Sequence, residues 1–309
     1  MRTAFMEELY AQAQAHKRVT LIVGDLGFGV VQQFASDMPS QFVNAGVAEQ
    51  NMTGLAAGMS LAGRTVFTYS IANFPTLRCL EQIRNDVCYM GADVKIVAVG
   101  GGTAYGALGA SHHATEDLAI MRALPGLTIV APNDPIEARL ATRALVSLPG
   151  PAYLRLGRAG EAHVHASEDI PFAIGKAICV REGADATLVT TGGMLGNALE
   201  AAEQLAAQGL ACRVLSMHTI CPLDTEAVLA AARETGGVFS VEEHSVVGGL
   251  GGALAEVLLE SSDRPRVFKR LGMPPRFSTV VGDQQFLRQR AGLDPSGIAR
   301  SVLATLRGA

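Results

Sequence analysis

Apolar positions along the chain follow two rhythms. Short runs of β-branched and aliphatic residues, such as Val19-Thr20-Leu21-Ile22-Val23, alternate with longer segments of helical spacing. The spacing predicts helices over residues 2–16, 48–62, 76–90 and 134–146, with Pro135 suited to a first helical turn. Between them it predicts strands at Val19–Val23, Phe42–Asn44, 65–69, Val94–Val99, 127–130 and Ala152–Leu156. Continuous apolar strands separated by helices imply a mainly parallel sheet covered on both faces.

The rhythm lapses between Gly157 and Pro171, where apolar residues are few and His and Glu frequent. It then resumes, with strands expected near Ala177 and at Ala186–Thr191, 213–217 and 238–242. Helices are expected over 195–208, 224–233 and 251–259, and a closing helix over 295–306. The expected fold class is therefore α/β, with two consecutive domains of mainly parallel sheets flanked by helices. Residues 1–160 form the first domain, 161–172 a linker and 173–309 the second.

Composition narrows the function classes. The 309 residues are 49% apolar and 17% charged, which suits two well-packed globular domains. A net charge of −4 offers no basic field for a phosphate backbone, so nucleic-acid binding is not expected. A membrane span needs roughly 18–20 mostly apolar residues. The longest stretch free of formal charge, Ile96 to Thr115, is too rich in Gly and His to serve. No signal peptide is evident in Arg2-Thr3-Ala4-Phe5-Met6-Glu7, and the five cysteines lack paired spacing. Free thiols in a reducing cytoplasm are expected.

Two stretches carry candidate chemistry. Asn44-Ala45-Gly46-Val47-Ala48-Glu49-Gln50 sets a carboxylate in the first turn of a helix rich in Gly and Ala. Such a residue taken alone is commonly a dipole partner. Gly109-Ala110-Ser111-His112-His113-Ala114-Thr115-Glu116 follows a buried strand and a glycine-rich loop, the place where open α/β sheets bind ligands. Two adjacent histidines there suit proton transfer, metal ligation or a capped helix start. No nearby Cys or carboxylate set supports zinc, so no metal site is expected on this chain.

Together these stretches resemble the transketolase family. Gly46-Val47-Ala48-Glu49-Gln50 with Ala56-Ala57-Gly58 is similar to its pyrimidine-binding domain, and to deoxyxylulose-phosphate synthases and the beta subunits of 2-oxo-acid dehydrogenases. Gly109 to Glu116 resembles the loop with a substrate-facing histidine. Leu127-Thr128-Ile129-Val130-Ala131-Pro132-Asn133-Asp134 resembles the strand-to-helix turn after it. Glu242-Glu243-His244 before Gly248-Gly249-Leu250-Gly251 resembles the C-terminal domain.

The resemblance implies thiamine diphosphate as cofactor. Glu49 would hydrogen-bond the ring nitrogen of its aminopyrimidine, favouring the tautomer that removes the thiazolium proton, and should be partly withdrawn from water. His112 would transfer a proton or polarise the substrate carbonyl. His113 stands where transketolases commonly have Gln. Tyr69 is either a ring against the aminopyrimidine or a core aromatic at a strand end. Asp25 matches an acidic residue near the thiazolium. Arg158 and Arg2 match substrate-gripping arginines, although Arg158 equally suits an ion pair. Gly29, Gly100 and Leu108 depart from the family pattern, which has Ser, His and Asp there.

The family holds Mg2+ and the diphosphate through a Gly-Asp-Gly motif. Gly24-Asp25-Leu26 and Gly282-Asp283-Gln284 both lack its second glycine. The resemblance is thus to the C-terminal half alone, a separate subunit of a split transketolase. It implies an N-terminal partner subunit carrying the Mg2+ site, a heterotetramer, and sugar or sugar-phosphate substrates exchanging a two-carbon ketol unit. The alternative is a beta-type subunit of a 2-oxo-acid dehydrogenase, or a deoxyxylulose-phosphate-synthase-like enzyme. The Gly248-to-Gly252 cluster misses dinucleotide-loop spacing, and His244 suits a structural role.

Overall fold

The computed structural model describes residues 1–308. The first domain is built of α1 (Arg2–Ala15), β1 (Val19–Val23), α2 (Gln32–Asp37), β2 (Phe42–Asn44), α3 (Glu49–Leu61) and β3 (Thr65–Ile71). It continues through α4 (Leu80–Gln82), β4 (Val94–Val99), α5 (Asp117–Arg122), β5 (Thr128–Val130), α6 (Pro135–Ser147) and β6 (Ala152–Leu156). The strands join in parallel in the order β5-β6-β4-β3-β1-β2. Val94–Val99 is buried at every position, which explains its apolar character, and its one charged residue, Lys95, donates to Leu148 O at 2.6 Å. α6 begins as Pro135 allows, with the Asp134 carboxylate accepting from the Glu137 amide at 2.8 Å.

The second domain contains β7 (Ile178–Arg181), β8 (Ala186–Thr191), α7 (Leu195–Ala206), β9 (Cys212–Ser216), β10 (Thr219–Cys221) and α8 (Thr225–Glu234). β11 (Val238–Ser245), α9 (Leu250–Glu260), β12 (Phe268–Met273), α10 (Gln284–Arg290) and α11 (Pro295–Arg307) complete it. Its sheet runs β12-β11-β8-β9-β7 and is parallel except for β7, which is antiparallel to β9.

The architecture is the expected pair of α/β layers, with local departures that include the short helices α2, α5 and α10. The helix expected over 76–90 is a 3-10 turn at Leu77–Cys79, one α-turn and a π-helix at Ile83–Tyr89. β12 has no apolar run because it is an edge strand, burying only Leu271 and Met273. β10 leaves its own domain and pairs antiparallel with β5, extending the first sheet to seven strands.

The core is likewise shared. One apolar cluster runs from Ile22, Met52, Val66 and Ile129 of the first domain to Leu215, Ile220, Val238 and Leu254 of the second. The opposite face of the first sheet packs Phe5, Leu9, Leu21, Phe67 and Tyr69 under α1. Residues 157–177 contain no regular element, yet they are tied down: the Met1 ammonium meets Glu161 at 2.8 Å and His165 meets Glu137 at 3.1 Å. No helix among the described residues is long and apolar enough to cross a membrane.

Candidate active site

The carboxyl ends of β1 and β3 meet at Glu49. α3 starts there, and Glu49 is 1% exposed although its neighbours Val47, Ala48 and Gln50 lie open. Its Oε2 is 2.7 Å from Arg78 Nη1, and Ser70 Oγ at the end of β3 lies 3.4 Å from Oε1. Gly24, directly after β1, packs against that side chain: a Cβ there would stand 3.5 Å from Glu49 Cγ and 3.7 Å from Oε1.

Asn44 organises the two loops beside it. Its amide donates to Asp25 Oδ1 at 2.9 Å, and its Oδ1 accepts from the Asp25 and Gly46 amides at 3.1 and 3.0 Å. Asp25 has φ +55°, so the loop after β1 is held in a left-handed turn that few side chains favour. Asp25 is exposed beside Glu49's helix start.

Beyond Arg78 the site continues as a line of rings and cations. The Arg78 guanidinium lies 4.9 Å from the centroid of Phe74, which is half-buried. Phe74 meets His112 edge-on, with centroids 5.4 Å apart. His112 Nδ1 is 3.0 Å from Ser111 Oγ, and its ring is 6.4 Å from that of Tyr105. Arg158 lies over Tyr105, 5.0 Å from its centroid. Asn73 fixes the histidine loop by donating to the backbone oxygens of His113 and Ser111.

Two expected site residues lie elsewhere. Tyr69 projects from the face of β3 opposite Ser70, is 3% exposed and stacks on Phe5 with an interplanar angle of 10°. Burial pushes its phenol well above the usual range, with the Arg2 charge acting the other way. The half-buried ring beside Arg78 is Phe74. His113 is also buried, with Nε2 3.2 Å from Gly106 O, and it lines a cavity of about 110 Å³ shared with Met273, Pro274 and Leu287 of the second domain. Strand alternation and loop reversal separate these side chains from His112. Arg2 sits beside Tyr69 with a buried Nε that has no hydrogen-bond partner.

The cofactor half that this chain suits is the ring half. A buried carboxylate at Glu49 beside Gly24, a half-buried aromatic face at Phe74 and the His112 imidazole, connected through Arg78, are the kinds of group that bind an aminopyrimidine. Among the described residues, no group of three or more His, Cys, Asp or Glu is placed to hold a metal ion.

The second domain reaches this site through Glu243. Its Oε1 accepts from the Thr103 amide at 2.8 Å and from the Thr103 hydroxyl, while its Oε2 accepts from Arg288 Nε and Gln284 Nε2, both at 2.8 Å. Arg155, 2% exposed, donates through Nε to Asp117 at 2.7 Å and through its terminal nitrogen to Glu243 O at 3.0 Å. Burial alone would raise the Asp117 carboxyl, but the Arg155 guanidinium holds it below the usual range. His244 accepts from the Ala119 amide at 3.3 Å, a structural contact.

The chain matches known proteins along nearly its whole length. Residues 1–160 match the family described as transketolase, pyrimidine binding domain, and residues 175–298 the transketolase C-terminal domain. One of the subunits of the apulose-4-phosphate transketolase of Phocaeicola vulgatus is 38% identical over 98% of this chain and 96% of its own length. The SqwH subunit of the 6-deoxy-6-sulfo-D-fructose transketolase of a Clostridium species is 38% identical over 98% and 93%. A solved structure described as split gene transketolase, inactive beta4 tetramer, superposes with a TM-score of 0.91 at 38% identity, covering 99% of this chain and 98% of that one. The chain belongs to the transketolase family. It is a subunit of a split, thiamine-diphosphate-dependent transferase.

Proposed function

We propose that this chain activates the cofactor of a two-subunit transketolase that moves a two-carbon ketol unit from a ketose to an aldose. The carrying observation is the buried Glu49 carboxylate paired with Arg78, which in turn lies over Phe74 beside His112. Bound thiamine diphosphate supplies a carbon nucleophile and an electron sink for cleavage beside a carbonyl. Glu49 would hold the aminopyrimidine through a proton shared with its carboxyl, which the Arg78 guanidinium meets at 2.7 Å. Phe74 offers the ring a flat apolar face. His112 would exchange protons with the substrate oxygen, and Asp25, held by Asn44, would be the acidic group near the thiazolium. Arg158 and Arg2 bind substrate, whereas Tyr69 and His113 support the walls.

An N-terminal subunit provides the diphosphate and Mg2+ site, and two copies of each chain make a heterotetramer in the cytoplasm. The inactive β4 assembly of the related protein supports the need for a partner. Five unpaired cysteines suit a reducing compartment. Residues 161–172 act as the linker between domains 1–160 and 173–309.

Ketol transfer should appear only when this chain, its partner, thiamine diphosphate and Mg2+ are mixed. Glu49→Gln should lower kcat by roughly 10²-fold or more while the complex still assembles. Full transfer by this chain alone would overturn the division of labour, and pyruvate-dependent turnover with an electron acceptor would favour a dehydrogenase instead.

A further inference from the structure

The loop that carries His112 has little of its own to hold it in one shape. Residues 100–109 include five glycines, and Ala107, Leu108, Ala110 and Ser111 lie exposed. Glycine loses more conformational freedom on ordering than any other residue, so such a loop keeps one shape only where outside contacts impose it.

Those contacts gather at its two ends. Gly102 and Ala114 exchange backbone hydrogen bonds at 2.9 and 2.8 Å, which closes residues 103–113 into a loop with His112 near its end. Glu243 of β11 holds both limbs of that closure. On one limb its Oε1 accepts from the Thr103 amide at 2.8 Å and from the Thr103 hydroxyl. On the other limb its backbone oxygen accepts at 3.0 Å from Arg155 Nη2, which also donates to Ala114 O at 2.9 Å. The Ser245 amide of the same strand donates to Thr115 O at 2.7 Å.

The seat is close-fitting. A Cβ at Gly102 would stand 2.7 Å from Glu243 O and 2.8 Å from Glu243 Cδ, and one at Gly101 would stand 2.7 Å from Arg155 Nε. The carboxylate is 1% exposed and cannot follow a moving loop, because Gln284 and Arg288 of α10 donate to its Oε2 at 2.8 Å.

We infer that Glu243 is a positioning residue for His112: through both limbs of the loop, the second domain sets where the imidazole stands. The inference rests on the ketol-transfer reading, in which His112 exchanges protons with substrate. Glu49 starts α3, outside the clamped loop. Two steps are thereby separated: removal of the thiazolium proton, which depends on Glu49, and proton exchange with substrate, which depends on Glu243 through His112.

The test uses the reconstituted complex with thiamine diphosphate and Mg2+, and D-fructose 6-phosphate as donor. Glu243→Gln keeps the side chain's size and removes the charge its donors share. It should lower kcat by roughly 10²-fold and leave KM for the donor within about twofold of its original value. Exchange of the thiazolium C2 proton into D2O, followed by proton NMR after acid quench, should keep its rate. Added to His112→Ala, Glu243→Gln should cost no more than about a further twofold. A merely structural carboxylate would slow C2 exchange together with transfer, or add its full loss to that of His112→Ala. Either result would overturn the inference.

Amide hydrogen exchange of the complex without sugar gives a second readout. Residues 103–114 should exchange at least about tenfold faster in Glu243→Gln, while α3 keeps its rates. Where Glu243→Gln fails to fold, Thr103→Val removes one hydroxyl, leaves the carboxylate on α10, and should show the same pattern with kcat about fivefold lower. Faster loop exchange in a complex that transfers no ketol unit would keep the clamp and sink the proposed reaction. Unchanged loop exchange with transfer intact would do the reverse.

Discussion

Two aromatic residues near the end of β3 divide the work at the residue scale. Tyr69 is locked against Phe5 beneath α1, whereas Phe74 is half-buried against Arg78 and His112. Tyr69→Leu should therefore lower the melting temperature, through a loss of about 1–3 kcal/mol of core packing, and leave the half-saturating cofactor concentration of the folded complex unchanged. Phe74→Leu should do the opposite, raising half-saturation roughly tenfold at nearly constant stability. Reversed effects in a titration monitored by ketol transfer would return the cofactor ring to Tyr69. Glu49 was legible in the sequence because a carboxylate at that helix start belongs to a recognisable string. Phe74, Arg78 and Asn44 were not, because their roles depend on which loop ends meet in space. Parity along β3 places Tyr69 and Ser70 on opposite faces, but does not tell which face carries Glu49.

Whole elements show where pattern reading reaches and where it stops. Buried parallel strands were readable from unbroken apolar runs, while β12 was hidden by the polar composition of an edge and β10 by its three residues. The helix expected over 76–90 has the right limits but a π-helical second half, a difference in hydrogen-bond partner that side-chain spacing scarcely encodes. The linker is fastened by charge. Contact with Glu137 raises the His165 imidazole above its ordinary 6.5. Burial would raise Glu137, but bonds from His165, Ser216 and the Asn133 amide hold it below its ordinary 4.5. The histidine's contribution is complete below 6.5 and fades as pH rises through its raised value. The glutamate's is complete above 4.5 and fades as pH falls through its lowered value. Both act fully between 4.5 and 6.5. The melting-point loss in His165→Ala should accordingly be larger near about pH 6 than near about pH 9. An equal loss at both values would show that the imidazole contributes by packing alone.

At the scale of the molecule the two domains are one cooperative body. They share an apolar cluster, the Glu243 contacts to Thr103 and the Arg155 bond to Glu243 O. Calorimetry should give a single unfolding transition, and two resolved peaks would contradict that coupling. Asp117→Asn leaves the buried Arg155 charge uncompensated and should cost about 3–5 kcal/mol by urea titration. The two-domain plan was legible in the sequence; the crossing of β10 was not, because strand order depends on contacts between distant segments. That crossing also bears on self-association. Without β10, the backbone of β5 at Ile129 and Val130 becomes an open, apolar sheet edge, a template for another chain. β10 caps it with only three residues, followed at once by Pro222, which cannot donate to a further strand. A fragment cut before β10 would thus meet its own copies as an aggregating species, whatever stability its first domain retained.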